Sequence, residues 1–206
     1  MEQSTFNKFR QIVYERSGIS LGPNKESLVS ARIGKRLRAL NLPDHNAYLE
    51  YLMDDQTGEE LVHMIDAIST NVTSFFRESA HFDFLSRKLT EWQSRGQQRF
   101  RFWSAASSTG EEPYTMAMTI METLGRNATD VKILATDIST RVLEKCRQGE
   151  YKQDRMQSIP PILRERYFDL GRQALEPAYT VKPVLKKMLT FARLNLSTPP
   201  FPMQGP

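Results

Sequence analysis

From Thr5 to about Leu52 the apolar residues recur at helical spacing, with Phe6, Phe9, Ile12 and Val13 on one stripe and Leu28, Ile33, Leu37 and Leu40 on another. Gly18, Gly22 followed by Pro23, and Pro43 interrupt these stripes, so the pattern predicts short helices joined by tight turns. Leu61, Met64, Ile65 and Ile68 continue it through a further helix over Glu59–Ile68. Residues 1–69 therefore form a small all-helical domain. The next stretch, TNVTSFFRE from Thr70 to Glu78, breaks the rule that a helix face repeats every three or four positions, and such a break marks a candidate site.

Beyond it, Phe82, Leu85, Leu89 and Trp92 return to helical spacing, and the polar turn SRGQQ closes that helix. Residues 70–92 are thus a linker and helix between two domains. RFRFWSAA then alternates through Phe100 and Phe102 as a half-buried strand does, and ends in the turn SSTGEEP. Pro113 suits the start of a helix whose apolar face is Met116, Ala117, Ile120, Met121 and Leu124. After a break from Gly125 to Asp130, VKILATD is a short, nearly continuous apolar strand, and STRVLEKCRQG a helix with Ser139 as N-cap and Gly149 as stop. Strand, helix, strand, helix with short links is the pattern of a parallel α/β sheet, so residues 93–206 begin a second domain. Within it a short helix is expected from Pro160 to Phe168, and candidate strands at Tyr179–Val184 and Leu189–Leu194 are expected to pair as an antiparallel insertion spanning about 168–193.

Composition narrows the class. A chain of 206 residues is long enough for a real core, and no segment approaches the roughly 18 apolar residues of a membrane span. The N-terminus is charged and amphipathic, unlike a secretory signal, and the lone Cys146 excludes an internal disulfide; together these point to a reducing cytoplasm without direct membrane insertion. The net charge of +4 is modest. Its distribution matters more, because Arg32, Lys35, Arg36 and Arg38 crowd two helical turns. Such a cluster is either a solvated face or a docking surface for an acidic macromolecule. One basic helix without interleaved aromatic residues is a thin footprint for nucleic acid, so no nucleic-acid partner is expected. His45, His63 and His81 share no metal-ligand spacing with Cys146, and no metal is expected.

The candidate chemistry lies in the turns. Open α/β sheets bind ligands at the carboxyl ends of their strands, and here one strand ends in SAASSTGEEP and the next in ATD. Asp137 at the second strand end is placed to accept hydrogen bonds from a ribose diol. The first turn has one glycine followed by Glu111 and Glu112, which is not the glycine-rich cradle of a pyrophosphate. Two carboxylates suit a ligand carrying positive charge, such as the sulfonium and α-amino groups of S-adenosylmethionine. On this pattern alone, helix capping by Glu111 and Glu112, and a simple turn role for Asp137, stand beside the ligand-binding alternative.

TNVTSFFRE, FWSAASSTGEEPYTMAM, ATDIST and VLEKCRQGEY, with the basic RLRAL of the helical domain, closely resemble the CheR family of chemotaxis receptor methyltransferases, which esterify glutamates on receptor cytoplasmic helices. The resemblance spans nearly the whole chain. It implies an α/β fold in which a small N-terminal all-helical domain precedes a Rossmann-like S-adenosylmethionine-dependent methyltransferase domain carrying a small antiparallel β insertion. It further implies that Asn71, Thr73 and Arg77 contact S-adenosylmethionine, that Glu111 faces its methionine part and Asp137 its ribose, and that Asn195 and Leu196 lie near the adenine. Phe75 and Phe76 are expected to pack an interdomain hinge. The product would be S-adenosylhomocysteine, the partners methyl-accepting receptor helices attracted by Arg32, Lys35, Arg36 and Arg38, and no residue would act as acid or base. In some members of the family the β insertion binds a receptor C-terminal peptide by strand addition.

One departure is large. Family members continue with an FDxIFCRN-like strand and the closing elements of the sheet, whereas this chain stops at PFPMQGP, so the fold is expected to be incomplete at its C-terminus. A non-catalytic receptor- or partner-binding module built on the same fold is the alternative of a different class.

Overall fold

The computed structural model describes residues 1–125, 130–171 and 177–201. Residues 126–129 of the expected break after Leu124, 172–176 of the expected insertion and 202–206 of the C-terminal stretch lie outside the described residues. The chain divides into two compact units, one containing Met1–Thr70 with Ile138–Thr140 and the described residues from Leu194, the other Asn71–Asp137 and Arg141–Arg193.

The first unit is helical. Helices α1 (Gln3–Ser17), α2 (Glu26–Leu40), α3 (His45–Asp54) and α4 (Glu59–Ile68) follow the punctuation of the sequence. Gly18 ends α1 in a left-handed conformation at φ 70, its N–H bonded to the Tyr14 carbonyl, and Asn41 ends α2 the same way at φ 55. The Asp44 side chain caps α3 by accepting hydrogen bonds from the Asn46 and Ala47 amides. Phe6, Phe9 and Val13 of α1, Val29, Ile33 and Leu37 of α2, Tyr48 and Leu52 of α3, and Met64 and Ile68 of α4 make one core. Each fully buried large apolar side chain here contributes about 1.5–3 kcal/mol. Val29, rather than the expected Leu28, occupies the inner face of α2, since 29, 33 and 37 keep a spacing of four whereas Leu28 is 38% exposed.

The second unit is built on a parallel sheet of order β1-β2-β6, formed by Arg99–Ala105, Asp130–Asp137 and Leu189–Arg193. Register runs from Arg99 opposite Asp130 to Ala105 opposite Thr136, then from Ile133 opposite Leu189 to Asp137 opposite Arg193. Helix α5 (Ser79–Ser94) packs on α6 (Glu111–Leu124), and α6 in turn contacts β2. Phe75, Leu89, Phe100, Tyr114, Met118 and Ile133 are among the residues of its core.

A second sheet of order β3-β5-β4 is antiparallel, with β3 (Glu150–Lys152), β5 (Ala178–Val181) and β4 (Phe168–Leu170) separated by α7 (Thr140–Gln148) from the strand β2 and flanked by α8 (Pro161–Tyr167) and α9 (Pro183–Lys186). Here the structure corrects the expected pairing. Leu189–Arg193 does not pair with Tyr179–Val184 but joins the parallel sheet beside β2, and the short strand at Tyr151 takes the place beside β5. The physical cause lies between them, where Pro183 begins α9, ends the strand at Val181 and redirects the chain.

Candidate active site

After β1 the chain turns through Ala106–Gly110 in a conformation with three left-handed positions, φ 63 at Ala106, 50 at Ser108 and 101 at Gly110. The turn is fastened to the end of β2. The Ser107 amide donates to the Thr136 carbonyl at 2.8 Å, and the Ser108 amide to Asp137 Oδ2 at 2.9 Å. Gly110 is required twice over, by its φ and because a Cβ there would lie 2.6 Å from Cys146 Sγ and 2.7 Å from the Tyr151 hydroxyl oxygen. The Tyr151 hydroxyl donates to the Thr109 carbonyl at 2.7 Å and holds the turn from β3.

The two glutamates that open α6 have different surroundings. Glu111 is 1% exposed, its Oε2 accepting from Thr109 Oγ1 and its Oε1 paired with Arg155 Nη2, both at 2.6 Å. Glu112 is exposed and accepts from Ser104 Oγ at 2.6 Å. Burial, with the neighbouring Glu111 and Asp137 carboxylates adding to it, pushes the Cys146 thiol up to about 12, so it stands beside this turn as a neutral packing group rather than a nucleophile. The hydroxyls of Ser107 and Ser108 are buried and have no partner among the described residues. Buried hydroxyls are almost always satisfied, so this pair is able to take hydrogen bonds from a polar ligand at the turn.

The expected linker residues lie in the same unit. Thr73 is half-buried and its carbonyl accepts from Arg155 Nη2 at 2.9 Å, so one guanidinium joins the linker to Glu111. Asn71 is half-buried, and Arg77 is exposed with Nη1 bonded to the Val72 carbonyl at 3.0 Å. Phe75 is a core residue of this unit, and the Phe76 amide donates to Thr115 Oγ1. Asn195 and Leu196 are assigned to the other compact unit, where Asn195 Nδ2 donates to the Arg16 carbonyl at 2.9 Å and Leu196 is 44% exposed.

The basic cluster of α2 divides into two pairs. Arg32 Nη1 donates to the Ile68 and Ser69 carbonyls and to Thr70 Oγ1, tying down the end of α4. Arg36 makes a two-pronged pair with the buried Glu60, which also accepts from the Tyr48 hydroxyl at 2.6 Å. Lys35 and Arg38 are exposed. Sequence patterns missed the parts played by Ser107, Ser108, Tyr151 and Arg155. For the serines a signal existed, since they stand in the polar turn at a strand end; for Tyr151 and Arg155 no local pattern points to contacts with a turn some 40 residues earlier.

Residues 4–69 match the family model described as "CheR methyltransferase, all-alpha domain", and residues 71–206 match "CheR methyltransferase, SAM binding domain". The chain belongs to the CheR methyltransferase family. The chain is 38% identical over 206 residues to "Chemotaxis protein methyltransferase" of Escherichia coli (strain K12), covering 100% of this chain and 71% of the relative. To "Chemotaxis protein methyltransferase" of Borreliella burgdorferi it is 41% identical over 199 residues, covering 93% and 69% respectively. The CheR relatives are therefore longer than this chain. The turn described above fits the S-adenosylmethionine that the matched domain binds, because it offers two unpartnered buried hydroxyls and two carboxylates, at Glu111 and Asp137, where an open α/β sheet receives a nucleoside ligand. No described helix is long and apolar enough to cross a membrane, and no group of three His, Cys, Asp or Glu among the described residues is arranged to hold a metal ion.

Proposed function

We propose that this CheR-family chain methylates glutamate side chains of chemotaxis-type receptors in the cytoplasm, with S-adenosylhomocysteine as product. The observation that carries the proposal is the strand-end turn of a domain matched to S-adenosylmethionine binding, with the Ser107 and Ser108 hydroxyls unpartnered and Asp137 fastened beside them. Asp137 would hold the ribose hydroxyls, Glu111 would serve the methionine end, and Asn71, Thr73 and Arg77 would contact the cofactor from the linker. Asn195 and Leu196 are the residues proposed near the adenine. S-adenosylmethionine supplies an electrophilic methyl group on a sulfonium. A glutamate side chain is ionised near neutral pH and needs no base to attack it. The chain's work is then to align nucleophile and methyl and to exclude water.

Asp137→Ala is expected to weaken S-adenosylhomocysteine binding roughly ten- to a hundredfold, the worth of one or two hydrogen bonds to a charged group. Calorimetric titration of the 206-residue chain measures it, with thermal unfolding as the check that Asp137→Ala remains folded. Unchanged affinity would remove Asp137 from the site. Transfer of labelled methyl groups to a receptor cytoplasmic fragment, as base-labile esters lost when its glutamates are replaced, tests the substrate. Cofactor binding without transfer would favour a partner-binding module.

For docking, Lys35 and Arg38 are the exposed cations of α2 and take no partner among the described residues, while Arg32 and Arg36 are engaged within the unit. Lys35→Glu with Arg38→Glu is expected to lower receptor methylation at low salt by about tenfold through KM, less at high salt, with cofactor affinity unchanged. An equal loss of cofactor affinity would refute the docking role.

A further inference from the structure

Arg155 stands at the end of a 3-10 turn, Gln153–Met156, whose Met156 is fully buried while the Arg155 side chain is 41% exposed. Its backbone is thus anchored while its side chain stays partly open to solvent. Through the single nitrogen Nη2 it reaches the Thr73 carbonyl at 2.9 Å and Glu111 Oε1 at 2.6 Å. Nε and Nη1 take no partner among the described residues, which leaves N–H donors in the planar fork that suits a carboxylate. Glu111 is 1% exposed, so no ligand cation can reach its carboxylate while Arg155 covers it. Removing that cover without replacement would leave a buried carboxylate uncompensated, which is strongly unfavourable.

An α-amino acid end solves both problems at once, because it brings an ammonium and a carboxylate held two bonds apart. We propose that Arg155 is a placeholder cation that exchanges partners on cofactor binding: the ligand ammonium takes over Glu111, and the guanidinium swings to the ligand carboxylate. Every charge stays compensated through the exchange. This rests on the proposed S-adenosylmethionine site, and it adds to it a residue that discriminates zwitterionic amino acid ends from simple amines. The same swing releases the Thr73 carbonyl, so the linker is freed as the ligand is engaged.

The exchange makes a prediction of opposite signs. Arg155→Gln removes the carboxylate partner and the competitor for Glu111 together. S-adenosylhomocysteine, which has both groups, is expected to bind the variant about tenfold more weakly, whereas decarboxylated S-adenosylmethionine, which keeps only the ammonium, is expected to bind it severalfold more tightly than it binds the parent chain. Methylthioadenosine has neither group and is expected to bind both chains alike. Arg155→Lys, with a point charge in place of the fork, is expected to fall between. Calorimetry with these three ligands on the 206-residue chain and the two variants reads the result. Equal weakening of all three ligands, or no change in any, overturns the exchange and leaves Arg155 as a prop for the turn or a surface cation. If the parent chain binds none of the three, the cofactor site itself falls, and the exchange with it.

Discussion

Phe75→Ala is expected to destabilise the methyltransferase unit by about 3–5 kcal/mol, the usual cost of emptying an aromatic core position. Phe75 is 1% exposed and meets Tyr151 and Phe168 edge to face, with ring centroids 4.8 and 5.7 Å away. Alanine there leaves a cavity against the antiparallel sheet, and it removes two aromatic pairings in addition to the buried area. Phe76 is half-buried, with Phe82 as its ring partner at 5.9 Å, so Phe76→Ala is expected to cost about 1–2 kcal/mol. Urea unfolding followed by tryptophan fluorescence compares the two variants. Equal, small losses would show that Phe75 is not part of the core. Cofactor binding by Phe75→Ala, measured where it is still folded, separates a packing role from a contact role.

Glu60→Ala is expected to lower the stability of the helical unit by about 2–4 kcal/mol, the second large effect. Glu60 is 4% exposed and receives three hydrogen bonds, from Arg36 Nε at 2.9 Å, Arg36 Nη2 at 2.5 Å and the Tyr48 hydroxyl at 2.6 Å. Tyr48 is fully buried, and burial together with the bond to Glu60 raises its hydroxyl well above the usual tyrosine range, so it remains a donor. Without Glu60 that donor and a largely covered guanidinium lose their acceptor together. Some water reaches Arg36, whose side chain is 22% exposed, and this keeps the cost below that of a sealed ion pair. Glu60→Gln, which retains an acceptor but not the charge, is expected to lose less, and Lys35→Ala should stay within about 0.5 kcal/mol of the parent. Thermal and urea unfolding of the chain decide it. A loss for Lys35→Ala as large as for Glu60→Ala would mean that the network is not what holds these helices.

These two cases show where local pattern carries information and where it stops. The helices of the first unit were legible because amphipathic spacing and the break signals at Gly18, Gly22 with Pro23, and Pro43 act within a few residues of themselves. The parallel strands β1 and β2, a helix starting near Pro113 and Asp137 at a strand end were legible for the same reason. Leu189–Arg193 was not placed in the parallel sheet, because an apolar strand of five residues states its exposure on each face but not its partner. The three-residue strand at Tyr151 is too short to show any period. Arg36 and Lys35 look alike in a charge cluster, and only one has Glu60 within reach.

The sequence by itself determined the order of the longer elements, the break between a helical and an α/β region, the polar strand-end turns and the resemblance that family comparison then established. These are properties of short segments, set by side-chain periodicity, capping and backbone freedom. Tertiary structure alone decided which strands share a sheet, that Phe75 lies in the core of the α/β unit, that Arg32 and Arg36 are bound internally, and that Arg155 meets Glu111 and Thr73. Each depends on groups brought together from distant parts of the chain, where packing and charge compensation, rather than spacing along the sequence, select the partner.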